Sequence, residues 1–200
     1  MSLRYALMAL LDVAPMTGYT LAKHFDQSAA FVWHAPHSQI YPELRRMEAE
    51  GLIIGQDVPR GTRGTKRTYA LTEAGRAEMR HWVQELPSPP PERDSAYLKA
   101  TYYEFGSFAN ARRQFQAHFA RHEALQRQWA THARELECRD TELIRLRLAA
   151  WPEQMHDAVV AYKAHVYRGM AARAAEEMQW ATEGIALVGR LEAAAKVPEA

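Results

Sequence analysis

The sequence predicts a mostly α-helical protein with one small β-hairpin, and three observations support this prediction. Apolar residues recur at helical spacing through most of the 200 residues. The basic stretch RGTRGTKR (60–67) separates two runs rich in β-branched and aromatic residues, which is the pattern of a hairpin. The segment LPSPPPERD (86–94) contains four prolines, which cannot continue a helix, so it divides the chain into two parts.

Two helices are expected at the N-terminus and a further one before the proline-rich segment. SLRYALMALLDVAP (2–15) places its leucines on one helical face. GYTLAKHFDQS (18–28) follows Thr17, a suitable N-cap, because a threonine hydroxyl can accept a bond from an unpaired N–H of the first turn. Thr72 is placed in the same way before the helix TEAGRAEMRHWVQEL (72–86).

Between them, HSQIYPELRRMEAEGLI (37–53) predicts a helix with a polar beginning and an aliphatic end. Ser38 is expected to be its N-cap, and Pro42 then lies in the first turn, where a missing N–H leaves no helical bond unmade. Gly51 is expected to end the helix, with Leu52 packing back on it. A helix that only filled a core would not need such a polar N-terminal part.

The hairpin follows this third helix directly. Residues 53–58 and 68–71 form its two strands, and the glycines between them permit a tight turn. Its tip contains no acidic residue. The four cations expected there are Arg60, Arg63, Lys66 and Arg67.

Three helices, a basic hairpin and a fourth helix in this order predict a winged helix-turn-helix with a small two-stranded wing. In such a domain a recognition helix presents its N-terminal part to base edges in the major groove. We therefore expect Ser38, Gln39 and Tyr41 to face bases and Arg45 to contact phosphate. The cations of the wing are expected to hold an adjacent DNA backbone or to enter a minor groove.

Each of these residues also has a simpler interpretation. The wing could be merely a solvated hairpin tip. It lacks the GK[ST] ending of a nucleotide-binding P-loop, so nucleotide hydrolysis is not indicated. One of Arg45 and Arg46 is expected to be an ordinary surface charge paired with Glu48 or Glu50. Tyr41 could pack its ring on the second helix and present only its hydroxyl to solvent.

The words TGYTLAKHF, SQIYPELRRMEAEGLI and RTYALTEAGR, in this order and spacing, resemble the PadR family of bacterial transcriptional regulators. The resemblance is specific over residues 1–86 and looser over 95–195. It implies a homodimer with an N-terminal winged helix-turn-helix and a C-terminal helical dimerisation domain. It also implies action usually as a repressor, released in some members by a small molecule.

The second half reads as two long helices that meet at Trp151-Pro152. From Phe108 every seventh residue is apolar except His122, a seam suited to coiled-coil-like packing along one helix. The other helix is expected to carry a stripe that includes Met155, Val159 and Val166. Because covering both stripes calls for a second copy, the residues assigned to dimerisation are Phe108, Phe115, Trp129, Leu136, Leu143, Tyr162, Ile185 and Val188.

The same half is rich in aromatic residues, which could line a cavity for a flat ligand. A small aromatic effector is the ligand that fits this composition, and its candidate contacts are Tyr102, Tyr103, Trp129 and Trp180. Aromatic residues at helical spacing more often form a core, so this alternative stays open. The resemblance, which allows an effector, is the main support for the ligand interpretation.

Other chemistry finds little support. His118 and His122 stand four apart on one helix face and could bind a metal. His132 or Glu123 would be the further ligand, but no zincin-type Glu follows the first histidine and no cysteine pair completes a site. We therefore predict no metal and no cofactor. Cys138 lacks the surroundings of a catalytic cysteine and is expected to be a partly exposed thiol. With no nucleophile–base pair either, the sequence does not predict an enzyme.

Composition limits the classes of function and the location that the sequence allows. The formal net charge is +1, so a nucleic-acid-binding protein of this kind must gather its cations locally. No run of 18 apolar residues and no signal-peptide pattern occur, which predicts no membrane partner, and the single cysteine fits a cytoplasmic location. The expected organisation is a DNA-binding domain over 1–86, a linker over 87–94, a helical dimerisation domain over 95–195 and a tail over 196–200.

The function predicted from the sequence is that of a homodimeric regulator, most simply a repressor, that binds double-stranded DNA at an inverted repeat. An adaptor whose winged helix binds a protein instead of DNA is the alternative. The near-neutral charge leaves the adaptor open, whereas a wing tip with cations and no acidic residue favours DNA.

Overall fold

A computed structural model of the chain describes residues 2–27, 36–60, 64–86 and 94–195. It divides the chain into two compact units. The first consists of Met1–Ser88 with Asp140–His156, and the second of Pro89–Arg139 with Asp157–Ala200. The expected fold class, mostly helical with a small antiparallel sheet, is confirmed. Among the described helices, none combines the length and the apolar run that crossing a bilayer requires.

The first unit contains five helices and three strands within the described residues. In chain order they are α1 (Ser2–Leu11), β1 (Met16–Thr17), α2 (Gly18–Gln27), α3 (His37–Ala49), β2 (Ile53–Arg60), β3 (Gly64–Leu71), α4 (Glu73–Trp82) and α7 (Glu142–Ala150). The second unit contains α5 (Ser95–Ala100), α6 (Phe108–Glu137) and α8 (His156–Ala195). The first residue of α8, His156, is assigned to the first unit. Short 3₁₀ turns lie at Tyr103–Phe105 and Glu153–Met155.

Two of the three expected N-caps are confirmed. The Thr17 hydroxyl accepts the N–H of Thr20 at 3.2 Å, and the Thr72 hydroxyl accepts that of Gly75 at 3.1 Å. The prediction for Ser38 is wrong, because α3 begins at His37 after Pro36, which has the extended backbone of an N-cap but no side chain to donate or accept. Ser38 thus lies within the first turn.

The end of α3 matches the expectation in detail. Gly51 has a φ of +73°, where glycine has no Cβ to strain. Its N–H donates to the carbonyl of Glu48 at 3.0 Å, and the N–H of Leu52 donates to that of Met47 at 2.9 Å. This pair of bonds is the Schellman motif, which satisfies the last carbonyls of the helix and directs the chain into β2.

The sheet has the strand order β1-β3-β2, and both pairs are antiparallel. The two predicted strands form the wing, in register from Ile53 opposite Leu71 to Arg60 opposite Gly64. β1, which pairs Met16 with Tyr69, was not predicted. Two residues are too short for an alternating pattern to reveal a strand.

The core of the first unit joins α1, α2, α3 and the base of the wing. Its fully buried side chains include Leu7, Met8, Leu21, Phe25, Ile40, Leu44, Met47 and Ile53, each at most 2% exposed. Burying a side chain of this size contributes about 1.5–3 kcal/mol relative to leaving it in water. The helix α3 is therefore held by one face, and its other face is left to solvent.

The expectation of one helix through Ala150 is wrong. The helix α6 ends at Glu137, Arg139 adopts a left-handed φ of 57°, and Thr141 caps α7 by accepting the N–H of Ile144 at 3.1 Å. Leu143 packs on the core of the first unit, so it does not continue the seam of α6. The contiguous division of the chain at 86–95 consequently missed that residues 140–156 belong to the first unit.

A partly buried arginine fastens α7 to α1. The guanidinium of Arg147 donates to the carbonyl of Ala9 and lies 3.4 Å from the carboxylate of Asp12. Burial lowers the pKa of Arg147, while Asp12 opposes that shift. Asp12 also accepts the indole N–H of Trp151 at 3.3 Å, so two side chains at the C-terminal end of α7 contact the same carboxylate.

In the second unit α6 and α8 run antiparallel, and the ring of His132 on α6 lies edge-on to that of Tyr167 on α8. Arg112 pairs with Glu192 near one end, and Arg139 pairs with Asp157 at the other. The buried residues of α8 are Val159, Ala164, Tyr167, Ala171, Ala174, Ala181, Gly184 and Val188. Against expectation, Tyr162 and Val166 lie outside this stripe, 76% and 46% exposed. The predicted stripe relied on large apolar residues, whereas alanines form much of the buried face of α8.

Candidate nucleic-acid interface

The helix α3 has one buried and one exposed face. Ile40, Leu44 and Met47, at helical spacing, are fully buried in the core. The opposite face exposes the four residues predicted to contact DNA: Ser38, Gln39, Tyr41 and Arg45. The packing that fixes the helix thus leaves its polar N-terminal part accessible.

Tyr41 has both of the roles that its sequence context allowed. Its ring packs on the start of α2, where a Cβ at Gly18 would lie 2.6 Å from Tyr41 Cε1. The side chain nevertheless stays 46% exposed. Gly18 is needed for this approach, because any side chain there would displace the ring. Tyr41 therefore sets the position of α3 against α2 and still reaches solvent.

The two adjacent arginines of α3 differ in their partners. Arg46 pairs with Glu43 at 2.9 Å, and Glu43 also accepts from Arg4 of α1 at 3.1 Å. Arg45 is exposed and forms no ion pair within the part of the chain that the structure describes. One of the two was expected to be an ordinary surface charge, and Arg46 is that residue, although its partner is Glu43 and not Glu48 or Glu50.

Glu48 instead connects α3 to the wing. Its carboxylate accepts the backbone N–H of Gly55 at 2.9 Å and pairs with Arg67 at 2.6 Å. Arg67 also reaches Asp57 at 3.3 Å and lies 5.9 Å from the centre of the Tyr69 ring. The hydrogen bond to Glu48 and the charge of that group raise the pKa of Arg67. In the structure Arg67 therefore holds the wing to α3, a role that its prediction as a DNA contact did not foresee.

The alternation of β3 explains why two neighbouring cations differ. Tyr69 and Leu71 are buried, and Arg67 shares their face of the strand. Lys66 lies on the other face, is exposed, and has no ion-pair partner among the described residues. Arg63 lies outside the described residues, and of Arg60 only the backbone, paired with Gly64, is described.

The aromatic residues proposed for an effector come together only in part. Phe115 contacts Tyr103 and Trp180 edge to face, with ring centroids 5.3 and 5.1 Å away, and Trp180 stacks on Tyr97 at 4.3 Å. Tyr102 is 57% exposed and Trp129 half-buried, and neither makes a ring contact with this cluster in the described structure. Tyr97 was missed because its six-residue helix is too short to show periodicity.

The residues predicted for dimerisation differ in their exposure, and some are buried within the second unit. Phe115, Leu136 and Val188 are buried within the second unit, and Ile185 packs against the cluster around Phe115. Trp129 is half-buried, while Phe108 and Tyr162 remain 39% and 76% exposed. The seam therefore serves mainly to pair α6 with α8 of the same chain, and its assignment to dimerisation stays a prediction for the exposed residues.

Known proteins resemble the chain in both sequence and fold. Residues 7–81 match the family described as the transcriptional regulator PadR-like family. The negative transcriptional regulator PadR of Bacillus subtilis (strain 168) is 36% identical over 101 residues, which are 50% of this chain and 56% of that protein. The chain spans about half the length of the curated relatives it matches.

The solved structures extend the likeness in fold to nearly the whole chain. Bacillus subtilis PadR in complex with operator DNA superposes with a TM-score of 0.70 at 25% identity, over 94% of this chain and 99% of that one. The same protein in complex with p-coumaric acid gives a TM-score of 0.67 at 24% identity, with the same coverage.

Proposed function

We propose, from the premise that the chain belongs over residues 7–81 to the PadR-like family of transcriptional regulators, that it binds double-stranded DNA sequence-specifically and regulates transcription. The observation that carries the proposal is the exposed face of α3, which gathers Ser38, Gln39 and Arg45 beside the wing. A relative of the same fold has been solved with operator DNA, which supports the same ligand here.

In this proposal different residues of the interface contact bases and phosphates. The face of α3 enters the major groove, where Ser38 and Gln39 offer hydrogen-bond donors and acceptors to base edges. Arg45, one turn beyond Tyr41, and Lys66 of the wing supply positive charge to phosphates. Because Glu48 and Arg67 fasten the wing to α3, the two contact regions keep a fixed separation.

The proposal includes a homodimer. The exposed apolar residues of α8 occur in pairs four residues apart, Tyr162 with Val166 and Leu187 with Leu191, each at least 45% exposed. Helical spacing puts each pair on one face, which suits coverage by a second copy. Two-fold symmetry would set two recognition helices about 34–36 Å apart and favour an inverted-repeat site.

The proposed outcome is repression, released by a small aromatic acid. The curated relative is named a negative regulator, and the same relative has been solved with p-coumaric acid. An effector can release DNA only if it binds one arrangement of the two recognition helices better than the other. Tyr97, Tyr103 and Trp180 are the candidate aromatic contacts, and Phe115 and Trp180 join them into one cluster in the second unit.

A band-shift titration with the DNA upstream of the protein's own gene tests the proposal. We expect binding at least about 10³-fold tighter than to a scrambled duplex at the same salt, with two chains per site. Addition of p-coumaric acid as the probe is expected to weaken the complex. Equal affinity for both duplexes would contradict specific recognition, and salt-insensitive binding or none would favour the adaptor.

A further inference from the structure

Three side chains of the second unit, outside the DNA-binding region, form a compact set of metal-binding groups. His118 and His122 lie one turn apart on α6, and Glu177 reaches them from α8. One ligand atom from each lies within 4.8 Å of the others, and all three residues are partly buried. The distance from His118 Nε2 to Glu177 Oε2 is 2.9 Å.

The hydrogen bond between His118 and Glu177 does not explain the position of His122. That bond accounts for His118, but His122 stacks on His118 with ring centroids 4.3 Å apart, and its buried Nδ1 is hydrogen-bonded by no described residue. A buried ring nitrogen without a partner is uncommon in a native structure. The imidazole of His122 is therefore held beside the other two groups without a hydrogen bond at Nδ1 to explain its position.

In contrast to the prediction from sequence, which did not include Glu177, we propose that His118, His122 and Glu177 bind a divalent transition-metal ion, Zn²⁺ in the first instance. Two imidazoles with one carboxylate are a common ligand set for Zn²⁺ and a poor one for Mg²⁺ or Ca²⁺, which prefer oxygen. Bonds of about 2.0–2.1 Å in a tetrahedral site separate ligand atoms by roughly 3.3 Å, so modest side-chain rotations would suffice. A water molecule or a small ligand would take the fourth position.

The surroundings suit this role. Metal binding needs unprotonated imidazoles, and burial, followed by the neighbouring His118, lowers the pKa of His122. The hydroxyl of Tyr97 donates to Glu177 Oε2 at 3.3 Å, and burial followed by the Glu177 charge raises the pKa of that phenol, which keeps it a donor. Trp180, edge-on to His118 at 5.0 Å, supplies an apolar wall. Tyr97 is thus a positioning residue for the carboxylate.

The full chain, stripped of metal by a chelator, tests the proposal through titration with Zn²⁺ against a chromophoric competitor. We expect one Zn²⁺ per chain, and affinity lower by about 100-fold or more in His122→Ala and Glu177→Gln because each loses a ligand. Tyr97→Phe should weaken binding about tenfold, as loss of an outer-shell partner does. His165→Ala, which removes an exposed histidine of α8, is the control and should bind like the unaltered chain.

Two further measurements keep the test decisive if a variant folds poorly. Circular dichroism compares the helix content of each variant with that of the unaltered chain, and Zn²⁺ should raise the melting temperature of the unaltered chain but not of Glu177→Gln. Co²⁺ in place of Zn²⁺ should give the visible absorption of a tetrahedral site. Less than one Zn²⁺ per chain, or equal affinity in the unaltered chain and both ligand variants, would overturn the proposal; neither result depends on DNA binding.

Discussion

Gly184→Ala is expected to lower the free energy of unfolding by about 1–3 kcal/mol. A Cβ at Gly184 would lie 2.5–2.6 Å from three ring atoms of Phe115, closer than real contacts allow. The ring cannot simply turn aside, because Tyr103 and Trp180 pack against it. Overpacking of this kind forces strained rotamers or separates the helices, and either result destabilises the pairing of α6 with α8.

Gly169→Ala in the same helix is the matched control. A Cβ at Gly169 would meet nothing within 4 Å, so the added methyl group causes no clash. Alanine is the better helix former, and the variant should gain about 0.5–1 kcal/mol. Thermal unfolding followed by circular dichroism compares the two. Equal shifts in both variants would show that Gly184 is not required for the approach of Phe115.

Arg45→Ala and Lys66→Ala are each expected to weaken DNA binding about tenfold, whatever the sequence of the duplex. Both side chains are exposed and without an ion pair in the described structure, so their charges are available to phosphates. Removing one cation from a phosphate should make the plot of log affinity against log salt less steep by about 0.9. In a homodimer each substitution removes two such cations and so has twice the effect on the slope.

Arg46→Ala provides the control for this prediction. It removes the same charge from the adjacent position, but Arg46 already pairs with Glu43. Its loss should change the affinity and the salt slope far less than loss of Arg45. Titrations at several salt concentrations measure both quantities. If Arg45→Ala and Arg46→Ala behave alike, the pairing seen in the structure does not decide which arginine contacts DNA.

The local features of the first unit could be predicted from sequence because each depends on a few adjacent residues. Thr17 and Thr72 cap their helices, Gly51 ends α3, and the strands of the wing pair as expected. Ser38 failed as a cap because the extended backbone at Pro36 starts the helix earlier. The positions of the serine and threonine residues do not show where the backbone starts the helix.

The features that were missed depend on contacts between distant parts of the chain. A seven-residue period continued formally to Leu143 and Ala150, but Arg139 turns the chain and α7 packs on the core of the first unit. The alanines of α8 carry no strong apolar signal, although Ala164, Ala174 and Ala181 are among its most buried residues. Periodicity therefore predicted long helices correctly and assigned part of their faces incorrectly.

In the candidate site, too, local features could be predicted and contacts between distant residues could not. Exposure of Ser38, Gln39 and Arg45 followed from the spacing of their buried neighbours on one helix. The role of Arg67 did not, since it depends on Glu48, nineteen residues earlier. The alternation of β3 offered a signal, because Arg67 stands two residues before the buried Tyr69 and so shares its face of the strand. This signal is missed when the basic stretch is considered only for its charge.

The central claim is that the exposed face of α3 determines which DNA sequence the protein binds. Selection from a randomised duplex library, carried out in parallel with the unaltered chain, Gln39→Ala and Lys66→Ala, tests it most directly. We expect Gln39→Ala to change the preferred bases at one position of each half-site, and Lys66→Ala to keep the preference while binding more weakly. If Gln39→Ala selects the same sequences as the unaltered chain, or Lys66→Ala selects different ones, the claim is contradicted.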